Sequence, residues 1–178
     1  MEKERIEVLD ADLSRVALGT WALGGWLWGG TEKNVPQETI HKAIDMGINL
    51  IDTAPVYGFG KSEEIVGKAV KEHSIEREKI FIATKAGLDW KKENPFRNSS
   101  IKRLEKEIDD SLRRLQTDYI DIYQIHWPDP KEPFERTAEF MNKLLEEGKI
   151  RSIGVSNYSP EQMEAFRRES PLHFCQPP

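Results

Sequence analysis

The sequence predicts an α/β domain built on a parallel β-sheet, and three observations carry that expectation. Six short β-rich runs, at residues 16–21, 49–53, 79–84, 119–125, 150–155 and 173–176, recur along the chain. Segments with helical periodicity separate them, the alternation that a parallel sheet with outer helices produces. Successive runs start about 23 to 40 residues apart, far enough for a right-handed crossover each time. An open doubly wound sheet and a (β/α)8 barrel both satisfy this spacing.

The elements follow in order. Met1-Glu2-Lys3-Glu4-Arg5 has no apolar stretch behind it, so no secretory signal is expected there. Residues 5–13 and 14–17 read as a hairpin ahead of the first sheet strand. Pro36 stands in the first turn of a helix that Gly47 ends. Ser62 is placed to cap the helix that follows the second strand. Ile101, Leu104, Ile108, Leu112 and Leu115 fall at spacings of 3, 4, 4 and 3 and make an apolar stripe. Phe134, Ala138, Met141 and Leu145 make another, closed by Gly148. Ser159-Pro160-Glu161-Gln162 reads as a capping box, with Ser159 as N-cap and Gln162 three residues on.

Composition narrows the function classes. Of 178 residues, 38% are apolar and 32% charged, enough for a core, and no apolar run nears the ~20 residues of a membrane helix. A formal net charge of −5 argues against a nucleic-acid or anionic-membrane surface. A single cysteine, Cys175, excludes an internal disulfide framework and fits a reducing compartment, so a soluble cytoplasmic protein is expected.

Parallel α/β folds place their sites at the C-terminal ends of strands. Asp52-Thr53-Ala54-Pro55-Val56-Tyr57-Gly58 follows the second run, Lys85 the third, His126-Trp127-Pro128 the fourth and Ser156-Asn157 the fifth. Four consecutive strands thus deliver ionisable or amide side chains to one rim. Neighbouring strands lie ~4.8 Å apart, so Asp52 can pair with Lys85, with His126 one strand further on. A phenol ordinarily titrates near pH 10, and an ammonium within ~4–6 Å favours its phenolate. An aspartate beyond the lysine keeps that ammonium charged and in place. Asp52, Lys85, Tyr57 and His126 therefore form a general-acid device for protonating a carbonyl oxygen as hydride reaches its carbon. Each residue alone has a structural use, as rim aromatic, ion-pair partner or loop cap; four on adjacent strand ends point to catalysis.

Other signals fall away. Gly60-Lys61-Ser62 ends like a phosphate-binding loop, but Pro55 stands where that loop needs glycine. Gly58-Phe59-Gly60 begins like a dinucleotide fingerprint, but Glu63 stands in its third glycine position. His173 and Cys175 lack further ligands, and His41 and His73 lie in helical or helix-end positions, so no metal is expected. Trp26 and Trp28 sit in the loop Gly24-Gly25-Trp26-Leu27-Trp28-Gly29-Gly30 on the same rim. With Trp21 and Trp127 they are candidate walls of a substrate pocket.

Gly19-Thr20-Trp21, Ile51-Asp52-Thr53-Ala54-Pro55-Val56-Tyr57-Gly58, Ala83-Thr84-Lys85, Gln124-Ile125-His126-Trp127-Pro128 and Ile153-Gly154-Val155-Ser156-Asn157 resemble the successive signatures of the aldo-keto reductase family, in family order. Pro55-Val56-Tyr57-Gly58-Phe59-Gly60 and the loop 24–30 resemble its bacterial stress-type members. The resemblance implies a (β/α)8 barrel, NADPH as hydride donor and aldehyde or ketone substrates. It implies a catalytic tetrad of Asp52, Tyr57, Lys85 and His126, with Tyr57 the general acid, Lys85 and Asp52 tuning it, and His126 orienting the carbonyl. It implies cofactor binding by Gly19, Thr20, Trp21, Asp52, Ser156, Asn157 and Gln176, of which the last three hold the nicotinamide carboxamide.

A whole barrel takes ~250 residues. The chain is therefore expected as one domain over 1–178: an incomplete barrel of about five and a half βα units. Its hairpin is expected at about 5–17 and its units from about 16 onward, with strands seven and eight absent. An open sheet leaves two unpaired edges, so self-association through them is expected. Two functions remain in view: NADPH-dependent reduction of small carbonyls, and a catalytically silent partial barrel serving as an assembly module.

Overall fold

The structure, a computed structural model, describes residues 1–27 and 35–177. The chain begins with an antiparallel hairpin of β1 (Lys3–Ile6) and β2 (Ala11–Ser14), paired from Lys3 with Ser14 to Ile6 with Ala11. The reversal falls at a 3-10 turn, Glu7–Leu9, and at Asp10 with φ 50°. This corrects the expected division into 5–13 and 14–17. Aspartate tolerates the left-handed region because its short carboxylate hydrogen-bonds locally, and that moves the turn to residues 7–10.

Six parallel strands follow: β3 (Leu18–Gly19), β4 (Leu50–Asp52), β5 (Phe81–Ala86), β8 (Ile122–Ile125), β9 (Ile153–Ser156) and β10 (Phe174–Gln176). Between β5 and β8 lies a second hairpin, β6 (Leu88–Lys91) with β7 (Asn94–Arg97). The periodic signal does not show it. Lys92 and Glu93 both take positive φ at its turn, where the readable signal is Asn-Gly or Asp-Gly.

Five helices connect the sheet strands: α1 (Val35–Asp45), α2 (Lys61–Glu72), α3 (Ile101–Leu115), α4 (Phe134–Glu146) and α5 (Pro160–Arg167). Each packs on the next around the sheet. The predicted capping box is formed at α5, where Ser159 accepts from the Gln162 backbone and Gln162 reaches back to the Ser159 N–H. Ser62 is corrected. Gly60, at φ 100°, precedes α2, and Ser62 is fully buried with its hydroxyl on Thr20.

The sheet order is β3-β4-β5-β8-β9-β10, sequential from one edge to the other. With no reversal in strand order, right-handed crossovers put every connecting helix on the same face. This is barrel winding, and it decides against the doubly wound alternative, which needs a switch point. Strand side chains alternate between the faces. Ile51, Ile82, Tyr123, Ile125, Ile153 and Val155 pack under the helices in the main core. Leu50, Phe81, Ala83, Ile122 and Phe174 take the other face, where Leu9 and Leu13 of the N-terminal hairpin join them. Asp52, Lys85, Ser156 and Gln176 continue that inner face at the strand ends, because they keep its parity. Among the described residues no helix is long and apolar enough to cross a membrane.

Candidate active site

Lys85 is the centre of the site. Its side chain is 1% exposed, yet its ammonium has four acceptors in reach. Nζ donates to both Asp52 carboxylate oxygens at 2.8 Å and to the Thr53 carbonyl at 3.0 Å, and it stands 3.5 Å from the Tyr57 hydroxyl. Parallel pairing of β4 with β5 sets Asp52 opposite Ala83, so Lys85, two residues on, reaches back to the carboxylate.

Tyr57 is carried by a tight loop after β4, with its own N–H on the Ala54 carbonyl at 3.1 Å. Two glycines fix that loop. Gly58 has φ 66°, and a Cβ there would meet the Gly24 oxygen at 2.3 Å; one on Gly24 would meet the Tyr57 oxygen at 2.7 Å. Backbone therefore lies directly against backbone. Behind the loop, the buried Ser62 hydroxyl bonds those of Thr20 and Thr53, and Thr20 donates to the Asp52 carbonyl at 2.9 Å. Gly19 pairs with Asp52 in the sheet. Buried Thr20 thus supports the site from behind, while Gly19 beside it is exposed.

His126 stands edge-on to Tyr57, ring centroids 5.9 Å apart. Its backbone is held on both sides: the N–H donates to Ala86, and the carbonyl accepts from the Asn157 amide. Burial, reinforced by the Lys85 cation, pushes the His126 pKa down to about 3. The ring is therefore neutral near pH 7, with one N–H to donate and one bare nitrogen.

These groups open onto a cleft of about 500 Å³. Trp21, Trp26 and Trp127 line it beside Tyr57, Lys85, His126, Ser156, Asn157 and Gln176. Trp21 stacks on Tyr57 at 6.0 Å and Trp26 meets Phe59 at 5.1 Å. Trp28 lies outside the described residues. Asp52 stands behind Lys85 and is not part of the lining. Val56, Leu88, Pro95 and Pro177 complete the wall. Sequence reasoning missed these because apolar residues in loops carry no chemical signature, and two of them sit on the unforeseen hairpin.

Asn157 adopts φ 61°, which asparagine tolerates. Its Nδ2 donates to the His126 carbonyl at 2.9 Å and to Ser156 Oγ at 3.0 Å. That leaves the Ser156 hydroxyl proton and the Asn157 side-chain carbonyl oxygen as one donor and one acceptor. Gln176, paired in register with Ser156, is exposed next to them.

Comparison with known proteins agrees with this arrangement. The model of the aldo/keto reductase family matches residues 15–177. The chain is 56% identical over 178 residues to aldo-keto reductase YhdN of Bacillus subtilis, covering 100% of this chain and 54% of that protein. It is 38% identical to the NADH-specific methylglyoxal reductase of Escherichia coli, covering 99% and 58%. Among solved structures, the glycerol dehydrogenase AKR11B4 from Gluconobacter oxydans superposes with a TM-score of 0.91 at 55% identity, over 99% of this chain and 54% of that one. An aldo-keto reductase from Klebsiella pneumoniae in complex with NADPH gives 0.71 at 32%, over 96% and 55%. The chain thus spans about half the length of the curated relatives it matches. Its six strands are part of the (β/α)8 barrel of these neighbours. With nearly every residue from the first barrel strand onward inside that match, the chain belongs to the aldo/keto reductase family.

Proposed function

We propose that the protein reduces aldehydes or ketones to alcohols, with Tyr57 as general acid and NADPH as hydride donor. One observation carries the reading: a buried lysine ammonium, gripped by both oxygens of Asp52, lies 3.5 Å from the hydroxyl of a tyrosine that faces an apolar cleft. A structural ion pair needs no phenol beside it. When the Tyr57 proton leaves, the Lys85 charge stabilises the oxygen left behind, at a site with little water to screen it. Asp52 balances the Lys85 charge and holds it in place, and the Thr53 carbonyl adds a third anchor.

The residues fit a nicotinamide. A carboxamide offers two N–H donors and one acceptor, and the free Asn157 carbonyl oxygen and Ser156 hydroxyl complement it, with Gln176 alongside. When bound, the nucleotide supplies a hydride to the substrate carbonyl carbon. The chain's own residues do the rest. Neutral His126 donates an N–H to the carbonyl oxygen and orients it. Tyr57 gives its proton to that oxygen as negative charge develops there, so the product is an alcohol and the phenolate is later reprotonated from water. The tryptophans exclude water from the reacting face.

NADPH is favoured over NADH by the Klebsiella pneumoniae neighbours, whose structures hold NADP and NADPH. A relative 38% identical is an NADH-specific enzyme, so both nucleotides belong in the test. The experiment follows consumption of each reduced nucleotide with methylglyoxal, for the wild type and Tyr57→Phe. Phenylalanine keeps the ring against Trp21 and removes only the hydroxyl. Turnover with NADPH and a loss of about 10²–10⁴-fold in kcat for the variant, at unchanged melting temperature, are expected. A variant as fast as the wild type contradicts the role of Tyr57. Faster turnover with NADH contradicts the cofactor assignment.

A further inference from the structure

Leu88 on β6 and Pro95 on β7 line the cleft that Tyr57, Lys85 and His126 open onto. An isolated two-stranded hairpin is marginal in water, so its anchors decide where this wall stands. Most of them converge on Arg103, in the first turn of α3. Its Nη2 donates to the Leu88 carbonyl at 3.0 Å, its Nη1 lies 3.2 Å from Asp89, and its guanidinium sits 5.1 Å from the Trp90 ring centre. Glu107, one turn further along α3, holds Arg103 at 3.0 Å with one oxygen. With its other oxygen it accepts from the Gly87 N–H at 2.8 Å, at the bend where β5 passes into the hairpin. The opposite strand is fastened by Arg97, which donates to the Pro128 carbonyl at 3.2 Å and lies over Trp127. Trp90 then touches Phe59 at 5.5 Å, two residues from Tyr57 in sequence.

We propose that the β6–β7 hairpin gauges the substrate, favouring carbonyls with an uncharged aryl group, and that Arg103 is the positioning residue that sets its distance from Tyr57. The proposal rests on the carbonyl-reductase reading and names its substrate class. Among the described residues, Lys85 is the one charged side chain lining the cleft, and Asp52 already engages it. Lys85 offers an anionic substituent no free charge and Arg97, over Trp127, is tied to the Pro128 carbonyl, whereas a phenyl ring gains apolar burial against Leu88, Pro95 and the tryptophans. A methyl substituent offers the hairpin little apolar area to bury. Arg103 touches neither substrate nor reacting atoms and acts through the wall it holds.

Phenylglyoxal and methylglyoxal share their reacting group and differ by phenyl against methyl, so they separate wall from chemistry. The protein is assayed with both, beside Trp90→Ala and Arg103→Leu, while amide hydrogen exchange is followed over residues 88–97. Both variants are expected to raise KM for phenylglyoxal about tenfold with kcat held, leave methylglyoxal kinetics unchanged, and speed exchange in the hairpin. Equal losses on both substrates, no loss on either, or unchanged hairpin exchange overturns the proposal. If Arg103→Leu does not fold, Trp90→Ala decides, because it leaves Arg103 paired with Asp89 and Glu107. If the wild type reduces neither carbonyl, the reductase reading fails. The wall is then judged on benzyl alcohol binding, where weaker binding by the variants supports it and equal binding overturns it.

Discussion

Lys85 carries a charge in a place where 1% of its side chain sees water, and such a charge is tolerable only while its partner stays. Asp52→Asn removes that partner and leaves the ammonium buried beside neutral acceptors. A stability loss of about 3 kcal/mol is expected from urea unfolding, along with lower kcat. An unchanged midpoint contradicts the tight coupling of the pair. His126 makes a different prediction. Its folded pKa lies near 3 and its unfolded value near 6.5, so the unfolded chain binds the proton first as pH falls. The stabilisation is therefore complete above pH 6.5 and is lost on the way down towards 3. Relative to His126→Gln, which cannot titrate, the wild type should lose about 2 kcal/mol between pH 7.5 and pH 5. Parallel stability curves for the two proteins contradict a buried neutral histidine. These residues were legible in the sequence because each stands at the C-terminal end of a β-rich run. The supporting roles of Thr20 and Ser62 were not, since a buried hydroxyl and a helix-capping one look alike until their partners are placed.

At the scale of elements, the loop bearing Tyr57 depends on Gly58 lying against Gly24. Gly58→Ala puts a Cβ 2.3 Å from the Gly24 oxygen and at a positive φ. Gly148→Ala is the control, since φ is 72° there but no atom lies within 4 Å. Backbone strain alone costs roughly 1 kcal/mol, so Gly148→Ala should show about that loss and unaltered kcat. Gly58→Ala should lose more stability and, by shifting Tyr57, also lose kcat. Equal effects of the two contradict the close approach. Helices α3, α4 and α5 were readable from their stripes and capping box, because amphipathic periodicity and caps are local signals. Both hairpins were harder. The first turns at Asp10 and the second at Lys92-Glu93, residues that take positive φ without announcing it.

For the whole molecule, periodicity could not separate a barrel from a doubly wound sheet, because both alternate strand and helix. Strand order is set by contacts distant in sequence, and it is sequential here. Among the described residues, β3 and β10 each pair on one side only. The winding gathers Asp52, Lys85 and His126 from separate strands beside Tyr57, and the proton-donating role proposed for them rests on how they are coupled. The most direct measurement is kcat for Tyr57→Phe, Lys85→Met and the double variant. If Lys85 serves the reaction through the Tyr57 hydroxyl, the double variant is no slower than Tyr57→Phe alone. Losses that multiply, each residue contributing as if the other were intact, contradict it.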